Sequence, residues 1–269
     1  MNAYKKIFNE LKKEKQGALV AFTVIGDPNY KASLDIAKKI IDSGADILEL
    51  GIPFSDPIAD GKTIQAADMR ALNSGTNTDK AFNFIMEIRE YNAKIPIGLL
   101  VYGNLIYQRG INKFYSDAAK SGVNSVLVAD VPIEESDDYI KAARKNKVDA
   151  VFIVSPLTSN ERIKKIVSKT TGFVYVVSRL GVTGARATLE SSTLDMIKKI
   201  RKFTKKPLCV GFGISKPEHV KAVIKAGADG AIVGSAIVDL IEKNADNKNK
   251  IIHEVAGYVK YMKGATRPS

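Results

Sequence analysis

The 269-residue chain is 45% hydrophobic and 26% charged, with a net charge of +12 and a single cysteine. One cysteine excludes an internal disulfide and a cysteine metal cluster, and no apolar run approaches the ~20 residues of a membrane span. Residues 1–8 lack an apolar signal core, so the expected location is cytoplasmic, with no membrane partner. The positive charge is mostly lysine scattered along helical patterns, with sparse arginine and no aromatic–basic interleaving. That reads as a solvated lysine surface and argues against a nucleic-acid partner.

Taken in order, residues 2–16 predict an amphipathic helix with Tyr4, Ile7, Phe8 and Leu11 on one face. Residues 18–25 are a continuous apolar run and predict a strand, ended by Gly26, Asp27 and Pro28. Leu34, Ala37, Ile40 and Ile41 follow at helical spacing and stop at Gly44. Residues 45–50 predict a second strand, which breaks at Gly51 and Pro53. Helical patterns over 62–73 and 79–92 lead to a third strand at 97–101. A helix over 111–121 precedes a fourth strand at 125–129, and a helix over 134–146 precedes a fifth at 150–154. Thr158 and Glu161 have the spacing of a capping box for the next helix. The sixth strand, 172–177, is followed by a long polar loop and a helix over 192–203. The seventh strand is 208–211, and Ser215 and Glu218 repeat the capping-box spacing. The eighth strand is 231–233; a short helix and a basic helical tail over 246–263 complete the chain.

Eight apolar strands alternating with helices in about 250 residues is the pattern of a (β/α)8 TIM barrel. Here it carries an extra N-terminal helix. Strands buried on both faces read as near-continuous apolar runs, and these do. A doubly wound open sheet would show a glycine fingerprint after the first strand, and Gly26-Asp27-Pro28 is not one. No linker or charge block divides the chain, so residues 1–269 are expected to form a single TIM-barrel domain.

Barrel active sites lie at the carboxyl ends of the strands. Glu49 falls near such an end, and Asp56 and Asp60 follow in the next loop. Several carboxylates leaving one strand end suit acid/base chemistry. If Glu49 points inward, the same parity offers Phe22, Leu100, Leu127, Ile153, Tyr175, Phe212 and Ile232, a mouth for a flat apolar ligand. Small residues after the last two strands, around Gly213, Gly234 and Ser235, let backbone N–H groups approach an anion; the seventh and eighth loops are a recurring phosphate site. The loop after strand six, with Arg179, Thr183 and Gly184, has the look of a lid. Cys209 sits in an apolar run and reads as a buried thiol.

The segment from Leu48 to Gly61, with Val128 to Pro132, Gly181 to Gly184, Gly211 to Ser215 and Val233 to Ala236, resembles the tryptophan synthase alpha chain family. The resemblance runs from about residue 17 to 262. It implies a lyase of tryptophan biosynthesis that cleaves indole-3-glycerol phosphate reversibly, with no metal and no cofactor in this chain. By the resemblance Glu49 is the general acid/base, Asp60 accepts the indole N–H, and Tyr175 lies near the scissile carbon. Gly184, Gly213, Gly234 and Ser235 match phosphate-binding positions, and Phe22, Leu100, Leu127, Ile153, Phe212 and Ile232 the indole pocket. Arg179 and Thr183 fall in the lid, with Thr183 expected to reach Asp60. The resemblance also implies a pyridoxal-phosphate-dependent beta chain as partner in an α2β2 heterotetramer, with Pro53 and Asp56 on the side that meets it.

Overall fold

The computed structural model describes residues 2–177 and 191–267. Its strands are β1 (Ala18–Val24), β2 (Ile47–Gly51), β3 (Ile97–Val101), β4 (Ser125–Val128), β5 (Asp149–Ala150), β6 (Phe152–Val154), β7 (Val174–Val177), β8 (Leu208–Gly211) and β9 (Gly230–Val233). All pair in parallel, in the order β5-β4-β3-β2-β1-β9-β8-β7-β6. The two ends of that ladder are separated in sequence by Val151 alone. They are the halves of the fifth strand expected from sequence, and the barrel closes there. The Val151 N–H still bonds to the Val126 carbonyl at 3.1 Å, so the interruption costs little.

Alternation along the strands sorts the core into two layers. Leu19, Ala21, Leu48, Leu50 and Leu99 face the surrounding helices. Ala18, Val20, Ile47, Leu127, Tyr175 and Ile232 face the barrel interior. The outer shell holds α2 (Tyr30–Asp42), α3 (Lys62–Asn73), α4 (Thr78–Tyr91), α5 (Gly103–Arg109), α6 (Ile111–Ser121), α7 (Asp137–Lys145) and α8 (Asn160–Lys169). It continues with α9 (Ser191–Arg201), α10 (Pro217–Lys225), α11 (Ser235–Lys243) and α12 (Lys248–Gly264). None of these is long and apolar enough, among the described residues, to cross a membrane.

The extra helix, α1 (Ala3–Lys13), closes the amino-terminal mouth. Tyr4, Phe8 and Leu11 are buried against the interior cluster, with Ile7 packed beside them. The Tyr4 hydroxyl lies 2.7 Å from Ser125 Oγ at the start of β4, and its ring tilts against Phe173 at 5.5 Å. Asn2 caps α1 through the Tyr4 N–H at 2.9 Å and donates to Asp149.

Three local expectations are corrected. Helix α5 follows β3 in a stretch where none was expected; seven residues are too few to show a period. Thr158 does not cap α8: it accepts the Ser155 N–H at 3.0 Å, and Ser159 caps instead through the Arg162 N–H. Ser215 does not cap α10, which begins from Lys216 without a side-chain cap. The Ser215 N–H instead donates to His219 Nδ1 at 3.3 Å.

Candidate active site

Glu49 is the middle residue of β2 and the register partner of Phe22 on β1 and Gly98 on β3. That position aims it into the barrel, where it is 3% exposed. Its Oε2 is buried and, among the described residues, has no hydrogen-bond partner. Burial alone pushes the carboxyl up to about 8, because a desolvated charge with no compensating donor is costly. Most buried carboxyls are paired, and an isolated one that holds its proton near neutrality is a functional-site candidate.

Asp60 lies in the loop between β2 and α3. Burial pushes its carboxyl up and a hydrogen bond from Tyr102 holds it down. The Tyr102 hydroxyl donates to Asp60 Oδ2 at 2.7 Å and accepts the Ala59 N–H at 3.0 Å. Phe54 stacks on the Tyr102 ring with centroids 5.1 Å apart, so one tyrosine gathers three residues of the loop. Gln65, in the first turn of α3, donates to the Asp60 carbonyl at 2.8 Å.

A cavity of about 470 Å³ opens at the carboxyl ends of the strands. Phe22, Leu100, Tyr175, Phe212 and Ile232 form its apolar wall, and Asp60 lines it from the loop. Glu49 sits beneath that wall and does not line it; its charge is felt by the buried Tyr175 hydroxyl, which burial, first, and Glu49 push up. Leu127 and Ile153 belong to the interior cluster but lie off the cavity lining.

Phe212 reaches the cavity by a different route from the one alternation suggests. Cys209 faces the interior and Val210 the helices, so Phe212, three residues beyond Cys209, has the outward parity. A left-handed backbone, φ 64°, turns its side chain back over the mouth, where it meets Tyr175 edge-on at 6.0 Å. A non-glycine residue held there is strained, and such strain gathers at working sites.

The other end of the cavity is lined by Gly213, Ile214, Ser215, Gly234, Ser235 and Ala236. Gly213 has φ 78°, which glycine alone adopts freely. Gly234 precedes α11, and among the described residues no side chain caps that helix. Its first N–H groups are therefore open to an anion, with the helix dipole favouring negative charge. A Cβ on Gly234 would stand 3.1 Å from Phe22 Cδ1, so the glycine lets this edge meet the apolar wall. Lys243, the last residue of α11, also lines the cavity and is paired with Asp239 at 2.6 Å.

Arg179, Thr183 and Gly184 lie outside the described residues. Asp56 is exposed on the β2–α3 loop, whereas Pro53 is buried within the chain. Tyr102, Ile64, Thr63 and Lys243 were not singled out from sequence. Tyr102 continues the inward parity of Leu100, and Ile64 and Thr63 lie in the first turn of the helix after the loop. Among the described residues no group of three or more His, Cys, Asp or Glu side chains is arranged to hold a metal ion.

Fold and site together define a (β/α)8-barrel enzyme with an apolar cavity set over a buried carboxyl. The family model of the tryptophan synthase alpha chain matches residues 8–267, and the chain belongs to that family. It is 49% identical over 251 residues to the tryptophan synthase alpha chain of Methanothermobacter thermautotrophicus, covering 92% of this chain and 93% of that one. To the Vibrio cholerae alpha chain it is 46% identical over 267 residues, covering 99% and 100%. A solved chain from the tryptophan synthase α2β2 complex of Pyrococcus furiosus superposes with a TM-score of 0.86 at 38% identity, covering 93% and 99%.

Proposed function

We propose that this chain cleaves indole-3-glycerol phosphate to indole and glyceraldehyde 3-phosphate, the alpha reaction of tryptophan synthase, with Glu49 as the acid/base group. The observation that carries the reading is a carboxyl buried beneath the apolar wall, holding its proton near neutrality, with one oxygen that has no hydrogen-bond partner among the described residues. The reaction asks for both protonation states in turn. Protonated Glu49 delivers its proton to indole C3. The resulting carboxylate takes the proton of the side-chain hydroxyl next to the ring as the carbon–carbon bond breaks. The electron pair of that bond returns to the ring as the iminium collapses, and Glu49 ends protonated. Positive charge at the ring nitrogen is met by Asp60, whose carboxylate the Tyr102 hydroxyl aims by a hydrogen bond of 2.7 Å. The flat ring fits among Phe22, Leu100, Tyr175, Phe212 and Ile232, and the phosphate at the open end of α11 with Gly213, Gly234 and Ser235.

This chain needs no cofactor of its own for that chemistry. Its partner is a tryptophan synthase beta chain, which carries pyridoxal phosphate, in an α2β2 assembly located in the cytoplasm. Three large apolar side chains support such docking. Ile58 is 80% exposed, Tyr107 72% and Leu157 76%, and all three follow strand ends, on the face of the cavity. Release of indole from indole-3-glycerol phosphate by the isolated chain, with and without Glu49→Gln, tests the reading. No release by the wild-type chain, alone or with a beta chain, would overturn it.

A further inference from the structure

His219 is one of the chain's two histidines, and the chemistry above does not use it. It stands in the first turn of α10, is 3% exposed and does not line the cavity. Its Nδ1 accepts the Ser215 N–H at 3.3 Å, and Ser215 does line the cavity, beside Gly213. An Nδ1 that accepts carries no proton, so the imidazole serves this bond as an acceptor.

The bond stands at one end of a loop with two anchors. At the other end, Gly211 pairs with Val177 in the barrel. It lies so close to Tyr175 that a Cβ there would stand 2.6 Å from the hydroxyl oxygen. Between the anchors Phe212 and Gly213 both have left-handed backbones, φ 64° and 78°. Strained backbone persists only where its surroundings over-determine it. Phe212 is held from the β8 side by its edge contact with Tyr175 at 6.0 Å. Further on, Ile214 is buried among the helix-facing core residues. An apolar contact sets how deep the chain lies, not which way its peptides turn. The bond to His219 sets the turn of the Ile214–Ser215 peptide.

We propose that His219 is a positioning residue for the anion end of the cavity: by accepting the Ser215 N–H it holds the Gly213–Ser215 backbone as a phosphate requires it. The inference rests on the functional reading above, which places phosphate there. His219 itself touches no substrate. Its loss is felt by the phosphate and not by the ring, because Phe212 is anchored from β8.

The test compares two probes that cannot be cleaved, indole-3-propanol phosphate and indole-3-propanol, bound to the full chain and followed by calorimetry at a fixed pH. Their affinity ratio is the preference for phosphate. His219→Leu and His219→Phe remove the acceptor in two different shapes. Each should lower the preference about fivefold, the scale of one neutral hydrogen bond, with affinity for indole-3-propanol within twofold of wild type. The KM for indole-3-glycerol phosphate should rise by the same factor, with kcat within twofold. His219→Gln offers an amide oxygen in place of the nitrogen and should keep the preference within twofold of wild type. Leu and Phe variants that retain the wild-type preference overturn the proposal, as does a Gln variant that behaves like Leu. Equal weakening of both probes, or failure of both the Leu and the Phe variants to fold, would make His219 a residue of the fold alone and overturn it too. If the wild-type chain itself shows no preference for the phosphorylated probe, the functional reading falls and this inference with it.

Discussion

Tyr102 donates its hydroxyl to Asp60 across 2.7 Å, and that bond holds down a carboxyl that burial pushes up. Tyr102→Phe should keep the stack on Phe54 and lose both the donor to Asp60 and the acceptor for the Ala59 N–H. With burial unopposed, Asp60 should hold its proton to higher pH and be aimed less well. The expected outcome is a kcat lower by about tenfold at pH 7, from misplacement and lost charge together. Its ratio to wild type should recover as the pH rises. A ratio that does not change with pH would show that the hydroxyl only packs.

Glu49 carries two linked expectations. Removing its proton by Glu49→Gln should lower cleavage by at least the roughly 10²–10⁴-fold that acid/base groups contribute. A variant within threefold of wild type would make Glu49 a structural residue. The second expectation concerns stability. The carboxyl sits near its ordinary value of 4.5 in the unfolded chain and at about 8 in the folded one. Between those values the folded state binds the extra proton, so this group's contribution to stability is full below 4.5 and is lost as the pH rises to 8. Glu49→Gln has no such loss. Its melting temperature relative to wild type should therefore be higher at pH 8 than at pH 5, by about 3 °C or more. Equal differences at the two pH values would contradict the burial argument.

Much of this was legible in the sequence for a physical reason. Strands buried on both faces and the helices between them have distinct periods, and both survive as runs of Val, Ile, Leu and Ala. Inward parity from Glu49 found Phe22, Leu100, Tyr175 and Ile232, since alternation is strict within a strand. It stops being a guide where the strand stops. Phe212 arrives by a positive φ that no pattern encodes. The break at Val151 depends on how the barrel closes, a property of the whole sheet. The capping residues of α8 and α10 turned on which hydroxyl or N–H already had a partner, as with Thr158 and Ser155. Tyr102 lies one period beyond Leu100, but its partners Phe54, Ala59 and Asp60 come from a separate loop.

At the end of the cavity proposed for the phosphate, Gly234→Val should act on binding. The added side chain would press on Phe22, starting from a Cβ contact of 3.1 Å, and stand before the open N–H groups of α11. The KM for the phosphorylated substrate should rise by about tenfold or more while kcat changes little, because the anion contacts serve ground state and transition state alike. The reference is indole glycerol without its phosphate. If Gly234→Val weakens both substrates by the same factor, the glycine serves the apolar wall and not the anion.

The exposed apolar residues at the strand ends make the last prediction. Ile58 stands on the same loop as Asp60 but projects outward, 80% exposed. Asp60 is fastened to Tyr102 and Gln65, so the loop's inner side is fixed independently of its outer one. Ile58→Lys should therefore leave cleavage by the isolated chain within twofold. It should weaken association with a beta chain by about tenfold or more, since a charge set into the desolvated centre of an interface is left without a partner. Lys38→Glu, far from the strand ends on α2, is the control for a charge change and should not alter association. Titration of each variant with a beta chain, read by calorimetry, checks both. If Ile58→Lys associates as tightly as wild type, the partner does not sit over this loop. If the substitution lowers isolated cleavage as much as association, the two sides of the loop are not independent.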